Sequence, residues 1–236
     1  MKKTIWIIVI VIIILSIGAV SGAMAGIAVN KFVDEYNQEV VYPDVDEATY
    51  SMLDKIGIGS EQLSGFSSLQ EALLNIEGEV EISNIKFTSE EITAILNVSP
   101  EYLKSMFVKS VVFDIQSDDT VNLEVYLDAE EINRNSDVPD IAIGIIQSTK
   151  FTINISITGV SEKGELIVVV NDIYVKDVHI MNFMNIFPVG SEFKGYVSEI
   201  MDKEIKVLLP MLKDLKSFEI SDGYAYIDAI FTYGGN

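Results

Sequence analysis

The sequence predicts an α+β protein: an N-terminal transmembrane helix, then antiparallel hairpins, short helices and one long amphipathic helix. Three observations predict this. Residues 5–30 carry no charge and begin with a dense Ile/Val run. Several segments between residues 79 and 233 alternate apolar and polar side chains with period two. Residues 195–215 repeat Val197, Met201, Ile205, Leu208, Leu212 and Leu215 at three- and four-residue spacing, which makes a stripe on a helix.

Taken in order, Ile5–Val29 would span roughly 37 Å as a helix, more than the roughly 30 Å hydrocarbon core of a bilayer. Lys2 and Lys3 precede it, so the positive-inside rule puts the N-terminus in the cytoplasm and residues 31–236 outside, in a single-pass topology. Ala23-Met24-Ala25 also fits a signal-peptidase pattern, so secretion after cleavage near Ala25 is the alternative. Residues 30–46 form an acidic stalk with Pro43, and residues 47–236 the extracytoplasmic domain. Within it, Asp46–Ile56 and Ser67–Ile76 predict short helices, and Glu79–Phe87 a strand with an irregularity near Asn84. Thr88-Ser89-Glu90-Glu91 is a capping box opening a helix, and Ser99-Pro100 opens another.

Three hairpins complete the pattern. Val111–Ile115 and Val121–Leu127 alternate around a turn at Ser117-Asp118-Asp119, and Phe151–Ile157 leads through Ser161–Gly164 into Leu166–Val175. The last, Ser217–Tyr233, turns at Asp222-Gly223. Strands with one wet face indicate antiparallel pairing. The helix over Gly195–Leu215 is broadly apolar, and Pro210 should kink it.

Composition narrows the chemistry. Of 236 residues, 49% are hydrophobic, and 16 Lys+Arg face 36 Asp+Glu for a net charge of −20. Beyond residue 29 the balance is 14 to 36, a net −22, because the two lysines removed are Lys2 and Lys3. Such a surface disfavours nucleic acid, whose phosphates need concentrated positive charge. There is no cysteine and a single histidine, His179, so thiol chemistry and histidine-rich metal sites are excluded. His179 reads as structural or solvent-facing. Ser191-Glu192-Phe193-Lys194 matches the S-x-x-K pair of penicillin-binding enzymes, but neither K-T-G nor S-D-N accompanies it. Ser191 is more simply a helix N-cap. The acidic groups Asp44/Asp46/Glu47, Asp118/Asp119 and Asp128/Glu130/Glu131 lack calcium-loop spacing. The residues therefore predict no catalytic residue, no metal and no cofactor.

Phe87-Thr88-Ser89-Glu90-Glu91-Ile92-Thr93-Ala94-Ile95-Leu96-Asn97 resembles the opening motif of bacterial membrane-anchored proteins with tubular lipid-binding (TULIP-like) domains. Phe218-Glu219-Ile220-Ser221-Asp222-Gly223-Tyr224 resembles their terminal strand pair. The resemblance covers about residues 79–236 and does not map residues 31–78. It implies a curved antiparallel sheet packed around the long helix, with acyl chains in the groove. A methylene buried there contributes about 0.8 kcal/mol.

The function expected is thus a membrane-anchored extracytoplasmic lipid or hydrophobic-ligand binding or transfer protein, without catalysis. The candidate ligand-binding residues are Phe113, Phe151, Phe183, Met184, Phe187, Val197, Ile200, Met201, Leu208 and Leu212. Its expected partners are the membrane and a lipid or other apolar ligand. The alternative is an anchored envelope interaction or scaffold protein with a solid core.

Overall fold

The computed structural model describes residues 46–63, 66, 72, 78–97, 103–104, 107–128, 130–131, 134, 150–175, 178–182, 191–201, 203–209 and 212–233. The apolar run 5–29, the stalk up to residue 45, and most of the helices expected at Ser67–Ile76 and after Ser99 lie outside them, as do Phe183, Met184 and Phe187.

Two antiparallel sheets organise the described residues. The smaller has the order β1 (Gly78–Phe87), β9 (Tyr224–Tyr233), β8 (Leu212–Ser221). The larger has six strands. It runs β2 (Val108–Ile115), β3 (Val121–Leu127), β4 (Lys150–Val160), β5 (Leu166–Val175), and both β6 (Val178–His179) and β7 (Glu204–Val207) pair with β5. Helices α1 (Asp46–Lys55), α2 (Ser60–Leu63), α3 (Ser89–Asn97) and α4 (Ser191–Ile200) accompany them.

The hairpins follow local chemistry. At β8–β9, Asp222 (φ 53°) and Gly223 (φ 75°) adopt consecutive left-handed conformations, as a two-residue turn matched to strand twist requires. At β4–β5, Gly164 (φ 70°) ends the turn, and Ser161 Oγ accepts from the Lys163 and Glu165 amides at 3.3 and 3.2 Å. Space is tight there as well: a Cβ on Gly164 would lie 3.3 Å from the Leu215 nitrogen of β8. At β2–β3, Asp118 Oδ1 accepts from the Thr120 hydroxyl at 2.7 Å and its amide at 3.2 Å, and these bonds lower the Asp118 carboxyl from its ordinary value. The irregularity expected near Asn84 is a bulge: the register with β9 shifts between Ile82 and Ile85, and Asn84 has φ 51°.

The capping box forms as predicted. The Thr88 amide donates to Glu91 Oε2 at 2.8 Å, and the Glu91 amide donates to Thr88 Oγ1 at 3.3 Å. Glu91 then does more than cap. Its carboxylate, 4% exposed, also accepts from Ser51 Oγ and Lys55 Nζ of α1, each at 2.6 Å. Burial pushes the carboxyl up, but the Lys55 ammonium, the Ser51 hydroxyl and the Thr88 amide outweigh it and hold the group below its ordinary value. Lys55 Nζ additionally donates to the Lys86 carbonyl at 2.8 Å. One carboxylate thus ties α1 to α3, and its lysine ties α1 to β1.

The core lies between the sheets as one cluster. It joins Phe113, Val121, Phe151, Ile153, Ile155 and Val170 of the larger sheet to Ile82, Phe87, Leu212, Phe218, Ile227 and Phe231 of the smaller. Phe113 meets Phe218 with ring centroids 6.3 Å apart, a tilted contact bridging the two.

This architecture corrects the predicted fold class. Sheet, not a sheet wrapped around one long helix, builds the domain, and more described residues lie in strands than in helices. The expected helix 195–215 is three elements. The helix stops at Ile200; Met201 bridges to Val170; residues 204–207 form β7; and β8 starts at Leu212. In β7 the side chains alternate, Glu204 and Lys206 exposed with Ile205 buried and Val207 half-buried, which is the period of a strand. Ile205 and Val207 are β-branched and favour it. Pro210 has no amide to donate and disfavours helical geometry in Leu209, and the Leu212 amide instead donates to the Leu209 carbonyl at 3.0 Å. The predicted transmembrane helix is not supported either: among the described residues no helix is long and apolar enough to cross a membrane, and residues 5–29 are not among them.

Candidate functional site

Seven of the ten sequence-chosen ligand residues lie among the described residues. Phe113, Phe151, Val197 and Leu212 are buried in the core cluster, contributed by β2, β4, α4 and β8 respectively. Ile200 and Met201 are half-buried against that cluster, and Leu208 is 37% exposed between β7 and β8. The stripe that linked Val197 to Leu212 breaks where the helix ends at Ile200, and Val197 and Leu212 reach the same core cluster from α4 and β8.

A different set of residues gathers on the outer face of the larger sheet. Because side chains alternate along a strand, the registers Asn122↔Asn154↔Asp172 and Glu124↔Thr152↔Tyr174↔His179 lay two polar rows across it. Asn171 joins the first row because the β4–β5 register shifts between Asn154 and Ile155, leaving Asn171 as an extra residue.

These side chains hydrogen-bond across strands. Asn171 Nδ2 donates to Asn154 Oδ1 at 2.8 Å and to Ser156 Oγ at 2.9 Å. Asn154 Nδ2 donates to Asn122 Oδ1 at 2.8 Å and to Thr120 Oγ1 at 3.1 Å. An amide ladder therefore runs across three strands. Beside it, the Tyr126 hydroxyl donates to Glu124 at 2.9 Å, and Lys150 pairs with the same carboxylate.

His179 closes the far end. The Met181 amide donates to Nδ1 at 3.2 Å, so in the neutral ring the proton sits on Nε2 and is donated to Asp172 Oδ1 at 2.8 Å. Tyr174 meets the imidazole edge-on, with centroids 5.6 Å apart. Burial, then the neighbouring Asp172 carboxylate, raises the Tyr174 phenol above its ordinary value. His179 is thus held by one carboxylate and one amide.

Among the described residues no three His, Cys, Asp or Glu side chains are grouped to hold a metal ion. Ser191 begins α4. What the outer face can do chemically is offer amide, hydroxyl and phenol groups for hydrogen bonding. Asn122, Glu124, Thr152 and Asn154 were legible as the wet half of alternating strands. Their mutual bonding was not, because it depends on register and on the Asn171 bulge.

Compared with known proteins, the chain matches no family model, no curated protein sequence and no solved structure. The resemblance to tubular lipid-binding proteins rests on the residues quoted above alone.

Proposed function

We propose that this chain is an exported, non-catalytic interaction protein, whose folded part works through its surface and binds a protein partner on the outer face of the larger sheet. The observation that carries the reading is the commitment of apolar side chains. Phe113, Phe151, Val197 and Leu212, which a lipid carrier would need as lining, are spent on the core between the sheets. A fully buried side chain of this kind contributes about 1.5–3 kcal/mol to folding, so withdrawing several to receive a ligand would unseat the fold. The polar rows offer an alternative contact area. The acidic excess favours a partner with a neutral or basic surface and salt-sensitive association. Export rests on Lys2, Lys3 and the uncharged run that follows, whether residues 5–29 stay attached or are removed after Ala25.

Photo-crosslinking residues at Thr152 and Asn154 in cells should capture one common protein, and its yield should fall at least five-fold when Tyr174→Ala is added. The same residue at Glu79, on the smaller sheet, should not capture it. Equal capture from both sheets would overturn the reading.

Lipid binding is the second reading, favoured by the half-buried Ile200 and Met201 and the exposed Leu208 that follow α4. Native mass spectrometry of the full chain decides it: a copurifying acyl ligand at near-stoichiometric occupancy would establish that reading in place of the first.

A further inference from the structure

Helix α3 lies along the β2 edge that pairs with no strand among the described residues, and its hydrogen bonds form a repeating set. The Ile115 amide donates to Ser89 Oγ at 3.0 Å. The Phe113 amide donates to Thr93 Oγ1 at 2.9 Å, and the Thr93 hydroxyl donates back to the Phe113 carbonyl at 3.3 Å. The Val111 amide donates to Asn97 Oδ1 at 3.1 Å, and Asn97 Nδ2 donates to the Val111 carbonyl at 2.6 Å.

The repeat has a geometric cause. Ser89, Thr93 and Asn97 are four residues apart, so they share a helix face and advance about 6 Å per step. Ile115, Phe113 and Val111 are two apart, so the strand advances about 6.8 Å per step. The two rises nearly match over the two steps that join three contacts, with helix and strand running in opposite directions. In an antiparallel pair, alternate residues aim their amides away from the partner. The residues bonded to α3 are those that aim away from β3. Asn97, giving one donor and one acceptor to Val111, reproduces what the backbone of a neighbouring strand would supply.

We infer that α3 is a built-in substitute for an added strand, and that its three polar side chains keep the β2 edge from pairing with a second copy of this chain. The second copy is the natural occupant because β2 itself (VKSVVFDI) is rich in β-branched residues. An antiparallel β2–β2 pair centred on Phe113 would set Val111 opposite Ile115 on the same apolar face and continue the sheet across the two copies. An edge so exposed is a template for such pairing. The inference is independent of the proposed partner face, since β2's edge and the outer polar rows are different surfaces.

The test is the variant Ser89→Ala/Thr93→Val/Asn97→Leu in the full chain, which keeps the branching of the side chains at 93 and 97 while removing the polar atoms. Amide exchange at Val111, Phe113 and Ile115 should accelerate at least ten-fold, with Val112 and Asp114 unchanged. Sedimentation velocity should show the parent's mass doubling at tens of micromolar protein. Unchanged exchange at the three amides would overturn the inference. So would faster exchange without the change in mass, since helix bulk would then be the barrier. If the triple variant does not fold, Thr93→Val alone carries the test through the Phe113 amide and the mass, with Thr93→Ser expected to restore both.

Discussion

Two lysine–glutamate regions of this molecule have nearly the same contact length and opposite surroundings. Lys55 meets Glu91 at 2.6 Å beneath α1 and α3, where the glutamate is 4% exposed. Lys213 meets Glu79, and Lys216 meets Glu81, each at 2.9 Å on the outer face of the smaller sheet, reaching across β9 with the glutamates 55% and 67% exposed. Distance alone does not distinguish them. Glu91 also accepts from Ser51 and Thr88, so its charge is solvated by the protein, whereas water solvates Glu79 and Glu81. The first arrangement is structural cement; the second is a solvated charge pattern that also blunts the β1 and β8 edges.

The largest effect expected is from Glu91→Ala. It leaves the Thr88 amide without its carboxylate and Lys55 without its counter-charge, at a cost of about 3 kcal/mol, the low end for a broken buried pair because Lys55 reaches water. Urea denaturation monitored by circular dichroism checks this. The pH dependence sharpens the contrast. Because the folded carboxyl is held below its ordinary value, its contribution is complete above that value and disappears as pH falls through the folded one. The denaturation midpoint of the parent should therefore fall more steeply from about pH 6 to about pH 3 than that of Glu91→Gln.

Thr93→Val comes next. It leaves the buried Phe113 amide and carbonyl without a side-chain partner, at about 2 kcal/mol, read in the same denaturation experiment. Asn154→Leu on the half-buried amide ladder should cost about 1 kcal/mol, because water replaces part of what is lost.

Glu79→Ala and Glu81→Ala come last, with thermal midpoints within error of the parent. The lysines there have values raised by Glu79, and by Glu81 and Asp228 respectively. Any stabilisation is present below the ordinary lysine range and vanishes as pH rises through the raised values. It should also vanish in 0.5 M salt, on the order of a 4 Å screening length. A measurable loss from either surface variant would break the contrast.

What could be read from the sequence divides along the same line between local and distant causes. The capping box at Thr88–Glu91, the bulge at Asn84 and the turn at Asp222-Gly223 are each decided by residues adjacent in the chain, and each forms as expected. Residues 201–215 are different. Ile205, Leu208 and Leu212 satisfy helical spacing, while Ile205, Val207 and Leu209 satisfy strand spacing, so periodicity alone could not choose. The choice falls to distant partners: β5 for β7, and β9 for β8. The candidate site suffered from that choice, since a helical stripe would have gathered Val197, Met201, Leu208 and Leu212 along one line. The outer-face residues were visible as alternation, but Asn171 and Asp172 share a face only because of a bulge that no local signal announces.

Among the described residues β1 finds its ladder partner only in β9, at the opposite end of the domain. During synthesis, therefore, β1 waits for this partner until β9 has emerged. The smaller sheet can close only after every strand of the larger one has been made, so its assembly is the later event.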